Sequence, residues 1–307
     1  MSIFTPGLVH TPVTPFTSDN RIDFDRFYGL IDFHLRNGAE SLAVPMHAGE
    51  SVSLTDEEQQ ALLDFTIREV KGRVPVLAHV SDSGTAIAAA RAVRAEASGA
   101  AAIVSTTPYY WSTTAPMIVE HFVQIASAVR IPFFVYYSPD EMGTPKFNTE
   151  LVLKLIDRIE NLAGLVDASQ DWQFMISMIL HAKRKRPDFQ LLTGVEYMVS
   201  AGAVGDTSMF SSLSGIAPVL VRRLYDICRL ERYFDARKPQ EEMSALRQVF
   251  KKEGVAGLKG AMQAMGRDCG RPRRPLLELD PAVYEKIVSA LAAMPFLKDE
   301  PRGWQGM

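Results

Sequence analysis

Eight times along this chain a short apolar run is followed by a stretch with apolar residues at helical spacing. The runs fall at 8–13, 41–46, 75–80, 101–105, 131–136, 161–169, 189–193 and 206–210. Each is too short for a helix and too continuously apolar for a half-exposed strand, so each reads as a buried parallel strand. The intervening periodicity predicts helices over 23–35, 84–98, 116–129, 149–159, 173–182, 197–203 and 217–230. Another runs to Val70 from a capping box of Thr55 and Glu58. Strand-helix alternation specifies a parallel sheet, and eight units is the count at which that sheet closes. The expected fold is therefore an α/β (β/α)8 TIM barrel. Three more helical patterns, 239–252, 255–265 and 281–294, lie beyond the last unit. They give an expected division into a barrel, 1–232, and a C-terminal helical subdomain, 233–307.

Composition narrows the partners. With 47% apolar and 22% charged residues and a formal net charge of -3, the chain offers no basic footprint for nucleic acid. Its basic cluster, Lys183 to Arg186, falls at a predicted helix end, where cations oppose the negative end of the dipole. No run of about 18 apolar residues is present to span a bilayer, and the opening residues lack a basic-then-apolar signal. Cys228 and Cys269 form neither metal-binding spacing nor a disulfide framework. A cytoplasmic setting without membrane, nucleic acid or cofactor is expected.

In barrels of this kind chemistry collects at the carboxyl ends of the strands. Those ends carry His47, Gly49 and Glu50; His79; Tyr109 and Tyr110; Tyr136; Asp167; Gly194 and Glu196. Segments around them combine in a fixed order: Thr14-Pro-Phe, Gly49-Glu-Ser-x-x-Leu-Thr, Thr107-Pro-Tyr-Tyr110, Tyr136-x-x-Pro139 and Arg274-Pro-Leu276. In that order and spacing the chain, from about Gly7 to Leu279, closely resembles the dihydrodipicolinate synthase and N-acetylneuraminate lyase family. The resemblance implies a barrel with a helical C-terminal part, assembled as a dimer of tight dimers. It also implies chemistry on a 2-oxo acid, usually pyruvate, through a lysine imine that serves as an electron sink.

That lysine belongs to a Gly-hydrophobic-Lys-Asp/Glu-[Ser/Ala]-[Ser/Thr] motif at the end of strand six. Here the motif reads Gly164-Leu-Val166-Asp-Ala-Ser169, so Val166 stands in the lysine position and an isopropyl group forms no imine. Outside predicted helices and their ends the sequence has only Lys146, in the loop after strand five. Lys259 falls on a helix where the family also tends to carry a lysine, for structural reasons. The resemblance makes Tyr136 the tyrosine that relays protons and meets the substrate carboxylate. It makes Tyr110 the tyrosine that reaches into a neighbouring subunit's site. The relay threonine is replaced, because Thr-Thr-Gly-Glu has become His47-Ala48-Gly49-Glu50. The Ala48 and Gly49 amides are still able to hold a carboxylate. Glu141 replaces an arginine of synthase members, which disfavours their dicarboxylic or semialdehyde second substrate.

Glu50 and Asp167 are expected to tie down their loops. His47 and His79 end neighbouring strands, ~5 Å apart in a sheet, where either suits acid-base work. With Asp167 or Glu196 they also suit a divalent metal. The expected catalytic residues are Tyr136, Tyr110 and His47, with Ala48, Gly49, Val166, Gly194, His79 and Glu196 in contact with ligand. Three functions stay open. One is a lyase or hydratase acting on a small carboxylic or 2-oxo acid without the imine. The others are an inert homologue that binds such an acid, and a metal-assisted variant. An open cavity would favour the first, and a cavity plugged by Trp111 and Met46 would not.

Overall fold

A computed structural model describes residues 4–142 and 145–304. Eight parallel strands close into a barrel in chain order: β1 (Leu8–His10), β2 (Ser41–Val44), β3 (Val76–His79), β4 (Ala102–Thr106), β5 (Phe133–Tyr137), β6 (Leu162–Asp167), β7 (Gln190–Thr193) and β8 (Ser208–Ser211). Helices separate the strands and further helices follow the last one, as the alternation requires. Apart from Ala163 the strand residues are buried, which is why the runs are continuously apolar instead of alternating.

Contacts divide the chain into two compact units, Met1–Gly7 with Pro75–Phe210 and Leu8–Val74 with Ser211–Met307. In the first, the ladder aligns Thr106 with Tyr136, Tyr136 with Val166, Val166 with Leu192 and Leu192 with Ser208. Side chains at registered positions share one face of a sheet, so these strand ends present one row. Gly164 is needed for the approach of β6 to β7, since a Cβ there would lie 2.4 Å from the Gln190 carbonyl oxygen. The helix Thr149–Arg158 is capped by Asn148, and Trp172–Lys185 by Asp171. Behind the strands Tyr137 stacks on Phe147, with ring centroids 4.2 Å apart.

The second unit holds β1, β2 and the C-terminal helices. The capping box of Asp56–Val70 is present in both directions, Thr55 with Glu58. Arg267 is fully buried and donates to the carbonyls of Gly215, Ile216, Pro301 and Gly303. Four acceptors for one guanidinium satisfy a cation that would otherwise be costly to bury.

Most boundaries shift by one or two residues from the sequence reading, and a few by more. The first strand ends at His10, not 13, because Pro12 and Pro15 supply no N–H to a ladder. The helix expected to open at Pro239 opens at Tyr233 and carries Pro239 inside it. Ala236, Pro239, Met243, Leu246 and Phe250 are its buried residues, at three- and four-residue spacing. Burial of that stripe outweighs the hydrogen bond that proline forfeits. Among the described residues, no helix is long and apolar enough to cross a membrane.

Candidate functional site

In the first unit the site grows from β5 and β6. Val166 is fully buried at the carboxyl end of β6, in register with Tyr136. The Tyr136 phenol donates to the Gly194 carbonyl oxygen at 3.1 Å, and its ring meets Phe210 edge-on at 6.2 Å. Gly194 continues the ladder, its N–H donating to the Asp167 carbonyl at 2.7 Å. A Cβ on Gly194 would lie 2.9 Å from the Ala168 Cβ and 3.1 Å from the Tyr136 hydroxyl. Glycine at 194 is therefore what lets the phenol sit where it does.

His79 closes β3 and is buried. Its Nε2 lies 2.7 Å from the Ser81 hydroxyl, which accepts the Thr106 N–H at 2.8 Å. Arg91 donates to the Ser81 carbonyl at 2.5 Å and pairs with Asp82 at 2.9 Å. Asp167 lies in register with Tyr137 and Thr193, on the face opposite Val166. One of its carboxylate oxygens accepts the Ser169 N–H at 3.0 Å, so it does tie down the loop, while Oδ2 has no hydrogen-bond partner among the described residues. Burial pushes its carboxyl up to about 6, against the hydrogen bonds from Ser169. Glu196 is buried just beyond β7. Tyr110 is 91% exposed at a φ of 75°, with its ring edge-on to Trp111. Trp111 is itself 57% exposed, and Met46 of the other unit is buried.

In the second unit the segment after β2 forms one tight turn, His47–Gly49, then Glu50 in the left-handed region at a φ of 57°. His47 is exposed, and Ala48 and Gly49 are buried. The Gly49 N–H donates to the Met46 carbonyl at 2.9 Å and its carbonyl accepts from the Thr14 hydroxyl at 2.6 Å. Gly49 therefore spends its amide within the turn. Glu50 pairs with Lys259 at 2.6 Å and accepts the Arg273 N–H at 2.7 Å. This bears out its expected role of holding the turn. Lys259 lies 4.5 Å above the Phe16 ring, and burial lowers its amine's pKa while Glu50 opposes that shift.

Among the described residues Lys259 is the one buried lysine, and it is paired; every other described lysine is exposed. Among the described residues, no three His, Cys, Asp or Glu side chains are placed to hold a metal ion, so the metal-assisted alternative has no ligand set there. Sequence reasoning missed Ser81, Phe210 and Arg273. Ser81 follows His79 by two residues, a signal that was available. Arg273 meets Glu50 across 223 positions, which no local pattern reveals.

A model of the dihydrodipicolinate synthetase family matches residues 5–294. The 4-hydroxy-tetrahydrodipicolinate synthase of Rhizobium meliloti is 30% identical over 291 residues, covering 93% of this chain and 97% of that protein. That of Bacillus subtilis (strain 168) is 29% identical over 271 residues, covering 87% and 91%. Among solved structures, YagE of E. coli K12, a prophage protein of the dihydrodipicolinic acid synthase family in complex with pyruvate, superposes with a TM-score of 0.89 at 25% identity, covering 95% of this chain and 99% of that one. The dihydrodipicolinate synthase of Aquifex aeolicus gives 0.87 at 25% identity, covering 94% and 97%.

Proposed function

The chain belongs to the dihydrodipicolinate synthetase family, and on that premise we propose that it binds a small carboxylic or 2-oxo acid at its strand ends and acts on it as a lyase or hydratase without a lysine imine. One observation carries the reading: a fully buried valine stands in register beside the Tyr136 phenol, at the end of β6. We take position 166 as the family's lysine position, and no other lysine supports a substitute amine. Activation of the carbon beside the carboxylate or carbonyl then falls to hydrogen-bond donors and acid-base groups. Tyr136 and His79 fill that role in the first unit. His47, exposed on its turn, is the proposed acid-base group of the second. With Gly49's amide spent, Ala48 is the better candidate to meet the carboxylate. The pyruvate bound by YagE is the natural first ligand to try. Catalytic work is proposed for Tyr136, Tyr110 and His47, and ligand contact for Ala48, Gly49, Val166, Gly194, His79 and Glu196.

A second reading, a carboxylate-binding homologue without turnover, draws support from the Tyr136 hydroxyl, whose proton already points at a backbone carbonyl. The test is trapping. Borohydride with pyruvate should leave the intact mass of the protein unchanged, while calorimetry registers binding of a small carboxylate. A reduced adduct on any lysine would overturn the imine-free reading. Binding without consumption of any 2-oxo or hydroxy acid offered would favour the second reading over the first.

A further inference from the structure

The turn after β2 leaves two main-chain donors over. Gly49 and Glu50 spend their N–H groups on the carbonyls of Met46 and His47, each at 2.9 Å. The N–H groups of His47 and Ala48 find no acceptor among the described residues. Ala48 is buried, and a buried amide left unpaired is costly. Two successive unspent amides suit an anionic oxygen, so the turn is shaped for a carboxylate only while its backbone keeps this form.

Little inside the turn enforces that form. It is a single tight turn that ends on Glu50 at a left-handed φ of 57°, which is unfavourable for a residue with a side chain. The restraint comes from Arg273, 223 positions beyond Glu50, whose main-chain N–H donates to Glu50 Oε2 at 2.7 Å. Its guanidinium donates to the Ser53 carbonyl at 3.2 Å and, as a fork, to both carboxylate oxygens of Glu58 at 2.6 Å each. A further N–H reaches the Asn20 carbonyl at 2.8 Å, and the guanidinium carbon lies 4.3 Å from the centre of the Phe16 ring. Glu58 is also the partner of Thr55 in the capping box, and the Arg273 hydrogen bonds hold its carboxyl below the ordinary value. One residue thus grips the chain at Glu50, Ser53 and Glu58, from the end of the turn into the next helix. The fork needs a planar guanidinium, since a lysine offers only a point charge.

We propose that Arg273 is a positioning residue: by clamping Glu50, Ser53 and Glu58 it fixes the turn that presents the His47 and Ala48 amides to the carboxylate of the ligand. Arg273 acts through the turn and not on the ligand. Its role toward the ligand rests on the proposed binding of a small carboxylate, whereas the clamp itself does not.

Hydrogen exchange tests the clamp with no ligand present. In Arg273→Ala the Gly49 and Glu50 amides should exchange roughly tenfold faster, the worth of one hydrogen bond, while the helix Thr85–Ser98 keeps the parent's rates. Unchanged exchange at Gly49 and Glu50 overturns the clamp. Calorimetry with pyruvate, and with acetate where pyruvate does not bind, tests the consequence. Arg273→Ala should weaken binding roughly tenfold, the least that a hydrogen bond to a charged group is worth, and Arg273→Lys should fall between it and the parent. Glu58→Gln keeps the capping box but takes the charge from the fork, and should fall between them as well. If Arg273→Ala does not fold, those two variants carry both measurements. Faster exchange with the parent's affinity would overturn the positioning role, because a residue that serves stability alone leaves the affinity of the folded protein unchanged. A parent that binds neither pyruvate nor acetate brings down the ligand reading and the positioning role with it, and the exchange rates still decide the clamp.

Discussion

Val166 places a branched apolar side chain, fully buried, one register step from the Tyr136 phenol. Replacing it by lysine would bring an amine into an apolar setting, where desolvation lowers the pKa and frees the lone pair for attack. Val166→Lys should therefore trap pyruvate under borohydride, giving a mass increase mapped to position 166, with little turnover because His47 stands where a relay threonine is expected. A folded Val166→Lys protein that never traps pyruvate would mean that the strand ends are shaped for a different ligand. The family motif around position 166 was legible because its neighbours, Gly164 and Asp167 to Ser169, are all present in sequence. The partners of Tyr136 were not legible, because Gly194 and Phe210 reach it through barrel closure and not through spacing along the chain.

Between elements, two buried polar pairs were out of reach of any local pattern, and both carry stability. Glu50 and Lys259 join the turn after β2 to the helix Gly254–Ala264, both nearly free of solvent. Removing one partner leaves an uncompensated buried charge. Lys259→Met should cost about 3–5 kcal/mol in urea unfolding, and Glu50→Gln added to it should recover much of the loss. Additive losses in that cycle would mean the pair is not coupled. The second pair links β1 to the helix Phe24–Arg36, with His10 Nδ1 and His34 Nδ1 3.0 Å apart. Burial pushes His34 down to about 3, with the Arg267 charge adding to it, and holds His10 well below its usual value together with His34 and Arg222. Both rings are neutral in the fold, whereas the unfolded chain protonates them near pH 6.5. Their contribution is thus intact above that pH and is lost as the pH falls through it toward about 3. At pH 5, His34 alone should lower stability by about 2 kcal/mol. Urea midpoints measured from pH 7.5 to 5 check this, and a His34→Leu chain that folds should show a shallower slope. An identical slope would remove His34 from the account.

For the whole molecule, counting strand-helix units was enough to reach a closed barrel, since eight parallel strands leave no edge to cover. What the count does not show is which surface apolar groups are spare. On the helix Trp172–Lys185, Trp172, Ile176 and Leu180 recur every fourth residue, 53%, 44% and 49% exposed, and with Ala203 and Val204 they line a groove of about 700 Å³. That stripe is one helix face left without a partner. The helix is N-capped by Asp171 and basic in its last turn, Lys183, Arg184 and Lys185. A second copy laid antiparallel across the groove would match apolar stripe to apolar stripe, set each Asp171 by the other's basic turn, and oppose the two macrodipoles. We therefore expect this face to join two copies of the chain. The family resemblance assigns a separate contact to Tyr110, whose 91% exposure at a left-handed φ is unfavourable in an isolated chain. On that expectation two contacts would give the dimer of dimers that the resemblance implies, and each is tested by its own variant. By sedimentation, Ile176→Asp should halve the mass of the assembly and Tyr110→Ala should halve it by the other route. The double variant should sediment as a 34.0 kDa chain. High salt should weaken the Ile176 contact more than the Tyr110 contact, because only the former sets charged helix ends against each other. If Ile176→Asp leaves the mass unchanged, the groove is not an interface between copies and the antiparallel pairing is wrong.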